Sequence, residues 1–449
     1  MTRVKQRASL TDTIRENLLR RAETVRLAKM SLARPDQPAP QTDFSTLPGY
    51  DELRLYERIG EKLGLGNPYF RLHDGRAGAE TKIDGRALTN FASYDYLGLN
   101  AHPEITAAAH AAIDRYGVSS SASRCVAGER PVHLQLERAI AEHYGVEDSL
   151  VLVSGYSTNV SVIGQIVGPN DLVVLDSVIH NSAVMGSVLS GANRRGFLHN
   201  DLENLDSLLS ETRHRFERVL IVVEGHYSMD GDYPDLPKLV DIKKRHGAWL
   251  MVDEAHALGV LGPRGGGIAE HFGVEPREID LWMGTLSKTL AACGGYIAGS
   301  AELIHYLKNF AGAFAYSVAM PPAIAAAAAK ALEILHREPE RVARLQHNAA
   351  LFARLAKERG LDLGTGAGTA IAPIIIGDSL PAVMLSEVLF ERGINVMPVL
   401  HPAVPAKQAR LRFFLTAAHA EHDIVRALDE TVACLSGVRE RMKEIDVGG

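Results

Sequence analysis

Trp249-Leu250-Met251-Val252-Asp253-Glu254-Ala255-His256 runs apolar for four residues and then turns abruptly polar. A short apolar run bounded by polar residues reads as a buried strand whose end carries charge. The same form returns at 279–283, just ahead of Gly284-Thr285-Leu286-Ser287-Lys288-Thr289, which sets a strand over 281–284. It appears again at 150–154, 172–176, 219–224 and 295–299. Longer helical patterns separate most of these runs. Strands spaced by crossover helices imply an α/β fold with a mainly parallel sheet covered on both faces. Ligands of such sheets sit at strand carboxyl ends, so the residues just after each run are the ones to inspect.

The chain has 449 residues, is 46% hydrophobic and carries a net charge of -6, enough for one large domain with smaller ones attached. With no long basic block, nothing draws it to nucleic acid. Cys125, Cys293 and Cys434 are scattered and form neither a disulfide framework nor a zinc motif, which fits a reducing cytosol. No apolar leader or run of membrane-spanning length occurs. The expectation is a soluble, cytoplasmic enzyme.

Working outward, Ile14, Leu18, Ala22 and Val25 recur at helical spacing among arginines over 11–34, a basic amphipathic helix. Pro35, Pro38, Pro40 and Pro48 follow as a linker. Domains are therefore expected at 1–48 (helix and linker), 49–100 (N-terminal segment), 101–322 (large domain) and 323–449 (small C-terminal domain). The last begins with an Ala-rich helix after Pro321-Pro322 and a charged helix near 341–359. A strand at 371–376, a helix opening at Ser379 and strands near 394–398 and 410–416 complete it.

Lys288 follows a strand end. It reads either as a solvated loop lysine, which most lysines are, or as a Schiff-base lysine flanked by phosphate-binding hydroxyls. Asp253, buried after its strand, needs a positive partner; a protonated pyridine nitrogen would be one, with His256 bonding a phenolic oxygen of the same ring. The letters Asp-Glu-Ala-His also occur in helicases, but no Walker A loop accompanies them. Gly155-Tyr156-Ser157-Thr158-Asn159 opens a helix after a strand and suits a phosphate, or simply caps the strand. His180 could lie against an aromatic ring or make an ordinary polar contact. Glu224-Gly225-His226-Tyr227-Ser228 forms a cofactor rim or a tight turn. Arg410 and Arg412 share one strand face, suited to gripping a carboxylate or to defending an exposed edge.

Taken in order from about residue 67 to 438, these strings resemble the α-oxoamine synthase family of pyridoxal-phosphate (PLP) enzymes. To them the resemblance adds Tyr94-Asp95-Tyr96-Leu97-Gly98-Leu99 and the stretches 117–137, 316–322 and 410–419. It implies the aspartate-aminotransferase-type fold (fold type I), with a seven-stranded, mainly parallel sheet in the large domain. It makes Lys288 the imine lysine and later the acid–base catalyst, Asp253 the pyridine partner, His256 the phenolic-oxygen ligand and His180 the stacking ring. Gly155, Tyr156, Thr285 and Ser287 become phosphate contacts, with Asn159 and Ser228 beside the cofactor and Ser317 reaching the site of a second subunit. Arg412, with Tyr94 and Asp95, takes the substrate. A homodimer is implied.

The implied reaction condenses an amino acid with an acyl thioester, on CoA or on acyl-carrier protein, and releases CO2. The segment 117–133 and Asn67-Pro68-Tyr69-Phe70 favour L-serine with a long chain, giving a product such as 3-ketosphinganine for sphingolipid synthesis. Alternatives are alanine or glycine, as in 8-amino-7-oxononanoate or 2-amino-3-ketobutyrate formation, and a non-catalytic partner subunit, against which the presence of Lys288 argues. Three departures stand out: Asp95, the run Gly265-Gly266-Gly267 in place of Gly-Arg-Gly, and residues 1–48. The basic helix could dock an acyl-carrier protein or touch the inner membrane face.

Overall fold

The computed structural model describes residues 42–447; the helix expected over 11–34, with any docking role, lies outside them. After a helix at Tyr50–Leu63, short strands β1 (His73–Asp74), β2 (Glu80–Ile83) and β3 (Arg86–Asn90) form an antiparallel ribbon. The main sheet follows as β4 (Asp148–Leu152), β5 (Leu172–Asp176), β6 (Asn193–Phe197), β7 (Val219–Glu224), β8 (Trp249–Asp253), β9 (Leu281–Thr285) and β10 (Gly295–Gly299). Its order is β4-β10-β9-β8-β7-β5-β6.

The sheet's chemistry explains its form. Strands such as Leu172–Asp176 and Val219–Glu224 are buried along their whole length, because helices cover both faces. Alternation splits each strand between two cores: Val219, Ile221 and Val223 pack on one side, Leu220 and Val222 on the other. Each such side chain contributes roughly 1.5–3 kcal/mol by leaving water. Close strand packing also limits substitution: a Cβ at Gly284 would stand 2.3 Å from the Tyr296 ring, so any side chain there would displace a buried aromatic.

Two departures from the expected strands are informative. β10 runs antiparallel to β9 and β4, because the loop between residues 285 and 295 is too short for a parallel crossover. Lys288 therefore sits in a hairpin. β6, with its exposed Asn193, Arg194 and Arg195, gives no apolar signal because it is the sheet's edge.

Beyond Pro322–Arg337, a second sheet forms from β11 (Ile371–Gly377), β13 (Met397–Val399) and β14 (Ala409–Phe414), packed on helices Ser379–Glu391 and Pro339–Glu358, against which Glu421–Val447 lies in turn. The single strand expected near 394–398 is two. Ile394–Asn395 (β12) pairs with β3, and Met397–Val399 pairs with β14, so this short stretch ties the N-terminal ribbon to the C-terminal sheet.

The triple glycine also has a physical cause. A Cβ at Gly266 would come within 2.9 Å of a Glu270 carboxylate oxygen, and one at Gly267 would overlap Glu254. Glu270 instead accepts from Gly266 N and from Arg264, which supplies the loop's cation from two residues upstream. Among the described residues no helix is long and apolar enough to cross a membrane.

Candidate active site

The carboxyl ends of β5, β7, β8 and β9 deliver Asp176, Glu224, Asp253 and Thr285 to one edge, and the β9–β10 hairpin adds Lys288. The Lys288 amine has no hydrogen-bond or ion-pair partner among the described residues and lies 5.8 Å from the centre of the Tyr94 ring. Burial pulls it down to about 8, while Asp253 and Glu224 pull the other way. An amine so placed is neutral for an appreciable fraction of the time near physiological pH, as a nucleophile or base must be.

Asp253 is buried and fully engaged: one oxygen accepts from Asn159 Nδ2 at 2.8 Å, the other from Ala255 N at 2.9 Å. Asn159 Nδ2 also donates to Ser182 Oγ at 2.9 Å, and Ser182 Oγ donates to His180 Nδ1 at 2.7 Å. A polar chain thus runs from Asp253 to His180. Sequence reasoning missed Ser182, which had no motif to mark it, only its place two residues after a strand-end histidine. His180 caps the helix Asn181–Leu189 and is exposed. Burial of its inner edge lowers its pKa, with Asp253 opposing.

His256 is held by a second missed residue. Tyr96 Oη lies 2.7 Å from His256 Nδ1, and burial drives the imidazole well below its ordinary pKa and the phenol well above its own. With Tyr96 donating to Nδ1, the neutral ring carries its proton on Nε2 and offers it as a donor. Tyr94 meets His256 and Phe414 edge-on at the mouth.

At the start of Gly155–Ile166, Ser154 caps the helix by accepting from Ser157 N, and the first-turn N–H groups have no partner within the helix. Thr285 Oγ1 and Ser287 Oγ stand 2.8 Å apart beside it, and a Cβ at Gly155 would come 2.9 Å from Thr285 Oγ1. Helix dipole, free N–H groups and two hydroxyls make an anion cup that glycine keeps open. The Tyr156 phenol turns away to donate to Asn181 Oδ1, so this residue offers the cup its backbone.

Glu224, buried beside Asp253, accepts from Ser228 N at 3.0 Å; burial and the Asp253 charge push its carboxyl up to about 8. The two arginines of β14 part company. Arg410 is spent on Asp230 and the Met229 carbonyl, whereas Arg412 uses Nη1 on the Ser228 carbonyl and leaves Nε buried and unpartnered. Asp95 braces its own turn through one carboxylate oxygen, Oδ1, which accepts from Leu99 N and Asn100 N, and it also lines the cavity beside Lys288. Ser317 lies outside this cluster, in a separate cavity with Ser121, Cys125 and Tyr316.

The cluster fits the PLP anticipated from the sequence. Asn159 Oδ1, Glu224 Oε1 and Arg412 Nε are buried without partners, the anion cup is open, and Asp253 lacks a cation. A cavity of about 370 Å³ adjoins Lys288 and runs out past Tyr94, Asn90 and Ala292 to His73.

Comparison with known proteins agrees. The sequence profile of aminotransferase class I and II matches residues 86–430. The chain is 42% identical over 384 residues to an 8-amino-7-oxononanoate synthase of Pseudomonas putida, covering 85% of this chain and 96% of that one. A serine palmitoyltransferase from S. paucimobilis, solved with bound PLP, superposes with a TM-score of 0.84 at 29% identity, covering 88% and 99%. An 8-amino-7-oxononanoate synthase from Francisella tularensis gives 0.69 at 27%, covering 78% and 98%.

Proposed function

The chain belongs to the aminotransferase class I and II family and, within it, to the α-oxoamine synthases, and from that membership we propose a PLP-dependent condensation of a small amino acid with an acyl thioester. Carbon dioxide and free thiol leave, and an α-aminoketone remains. The observation that carries this reading is the convergence of Lys288, Asp253, His256 and His180 on one anion cup.

Bound there, PLP supplies an electron sink for the bonds at the amino acid's α-carbon. Lys288 would hold the cofactor and supply, on its neutral amine, the base for the substrate's α-proton. Asp253 would keep a proton on the ring nitrogen, His256 would donate from Nε2 to the phenolic oxygen, and His180 would cover a ring face. Gly155 and Tyr156 N–H groups with Thr285 and Ser287 hydroxyls bind the phosphate, while Asn159 holds Asp253 and Ser228 lines the rim. Arg412 grips the substrate carboxylate through its free nitrogens. Tyr94 shields the mouth from water. Ser317 serves a second copy across a homodimer.

The amino acid follows from carbon bookkeeping on the P. putida relative's product, 8-amino-7-oxononanoate. Its terminal CH3–CH(NH2) unit is what alanine leaves on losing CO2, and the remaining seven carbons are a heptanedioyl group. We therefore favour alanine with a medium-length acyl donor over serine with a long chain. The serine reading keeps one observation in its favour, the higher TM-score of the serine palmitoyltransferase.

Purified protein with PLP, incubated with alanine, glycine or serine against heptanedioyl-CoA and palmitoyl-CoA while thiol and CO2 are followed, separates the readings. Turnover with alanine and the shorter donor is expected. Turnover with serine and palmitoyl-CoA alone overturns the substrate choice, and amino-group exchange without thiol or CO2 overturns the reaction class.

A further inference from the structure

Next to the proposed site lies a histidine with no part in the chemistry assigned above. His199, just past β6, points Nδ1 at Asp176 Oδ1 (2.9 Å) and Nε2 at Asp232 Oδ2 (3.1 Å). Ionised carboxylate oxygens only accept, so both nitrogens must donate and the ring is an imidazolium. Asp176 ends β5, four residues before His180, and its remaining capacity is taken by Val178 N and Asn200 N. Asp232 sits in the loop after β7, four residues past Ser228, and its carbonyl accepts from Tyr227 N.

We propose that His199 is a positioning residue: a permanent cation that staples the loop bearing His180 to the loop bearing Ser228 and so fixes the separation of two walls of the cofactor site. The two carboxylates that face the ring favour a held charge. Asp176 approaches from β5, Asp232 and the edge-on Tyr227 ring, 4.5 Å away, from the loop after β7, and the Asn200 amide from its own loop. Burial works against the charge, yet the hydrogen bonds to Asp176 and Asp232 outweigh it and raise the imidazole to about 10. With the cation gone, two buried carboxylates would face each other and push the loops apart. Falling pH would relieve this by protonating one of them.

The cofactor arm of the test rests on the PLP reading; the spectroscopic arm does not. In holoenzyme labelled with 15N-histidine, the ring resonance that vanishes in His199→Gln should report both nitrogens protonated at about pH 8. PLP affinity in His199→Gln should fall roughly tenfold at about pH 8 and clearly less at about pH 6, and should return to within about threefold of wild type in His199→Gln/Asp232→Asn. A neutral imidazole at pH 8 overturns the proposal. So does an unchanged affinity, or a loss equal at both pH values that the double variant does not recover. Should wild type itself bind no PLP, the functional reading falls, and the protonation state of His199 decides this one.

Discussion

The two edges of the main sheet carry cavities of opposite character. At the amino edge lies the larger, about 950 Å³, reached by Trp249, Asp171, Arg218, Arg277, Asp280 and Tyr306. Its charges satisfy one another or the backbone: Arg218 faces Asp171, Lys243 pairs with Asp280, and Arg277 donates to the Gly145 carbonyl. At the carboxyl edge the cavity is less than half that size, yet around it three buried polar atoms have no partner and the lysine is unpaired. A buried polar atom left unsatisfied costs about 1–3 kcal/mol, so three at one place mark where an absent group completes the structure. Volume alone points to the other edge. The asymmetry comes from chain direction, since parallel strands send helix N-termini and free N–H groups to the carboxyl edge.

Substitutions at the small cavity should bear this out most strongly. Lys288→Ala should fold with near-wild-type circular dichroism and lose activity by on the order of 10³-fold or more, about 4 kcal/mol in barrier, with altered absorbance of bound PLP. Retained turnover would show that Lys288 carries no essential part of the chemistry. Asp253→Asn keeps the size and the contact to Asn159 but removes the charge. Turnover should fall about 100-fold, about 2.7 kcal/mol, with a much smaller change in PLP affinity. Equal loss of both would mean that Asp253 only shapes the floor.

How much of this was legible beforehand depended on the type of signal. β5, β7, β8 and β10 stood out as apolar runs because both faces are buried, and Lys288, Asp253 and His256 stood out because each breaks such a run with charge or imidazole. β6 was silent because an exposed edge strand has no need of apolar residues. Tyr96 and Ser182 were silent for another reason: His256 lies 160 residues from Tyr96 and Asn159 lies 23 residues from Ser182 on another helix, and a hydroxyl in a motif does not announce what it will touch. That Asp95 braces its own turn through Oδ1 was equally unreadable, because a turn-bracing aspartate and a substrate-facing one are written alike. Alternation alone left Arg410 and Arg412 equivalent; what separates them is Asp230, a residue of another loop, which engages Arg410 while Arg412 keeps Nε unpartnered.

The amine at the small cavity also makes a prediction of intermediate size. If burial holds Lys288 at about 8, the rate at which apoprotein captures PLP should rise roughly tenfold per pH unit below that value, as the neutral fraction grows, and level off above it. An ordinary solvated lysine would keep gaining through pH 10. Stopped-flow absorbance between about pH 6.5 and 9.5, where the fold is tested in parallel by fluorescence, distinguishes the two curves.

The smallest effect is expected at the amino edge. Trp249 opens β8 and is 37% exposed, whereas Asp253 closes the same strand and is 5% exposed. Four residue steps of about 3.3 Å separate them by roughly 13 Å, and the intervening Leu250, Met251 and Val252 are clamped between β7 and β9. Trp249→Ala removes part of the wall of the large cavity without leaving a charge unpaired. It should therefore lower stability by about 1–2 kcal/mol in urea unfolding while turnover of the PLP-loaded enzyme stays within about twofold of wild type. A collapse of turnover with stability and PLP affinity intact would show that the two edges are coupled through β8, and the large cavity would then have to be counted part of the working site.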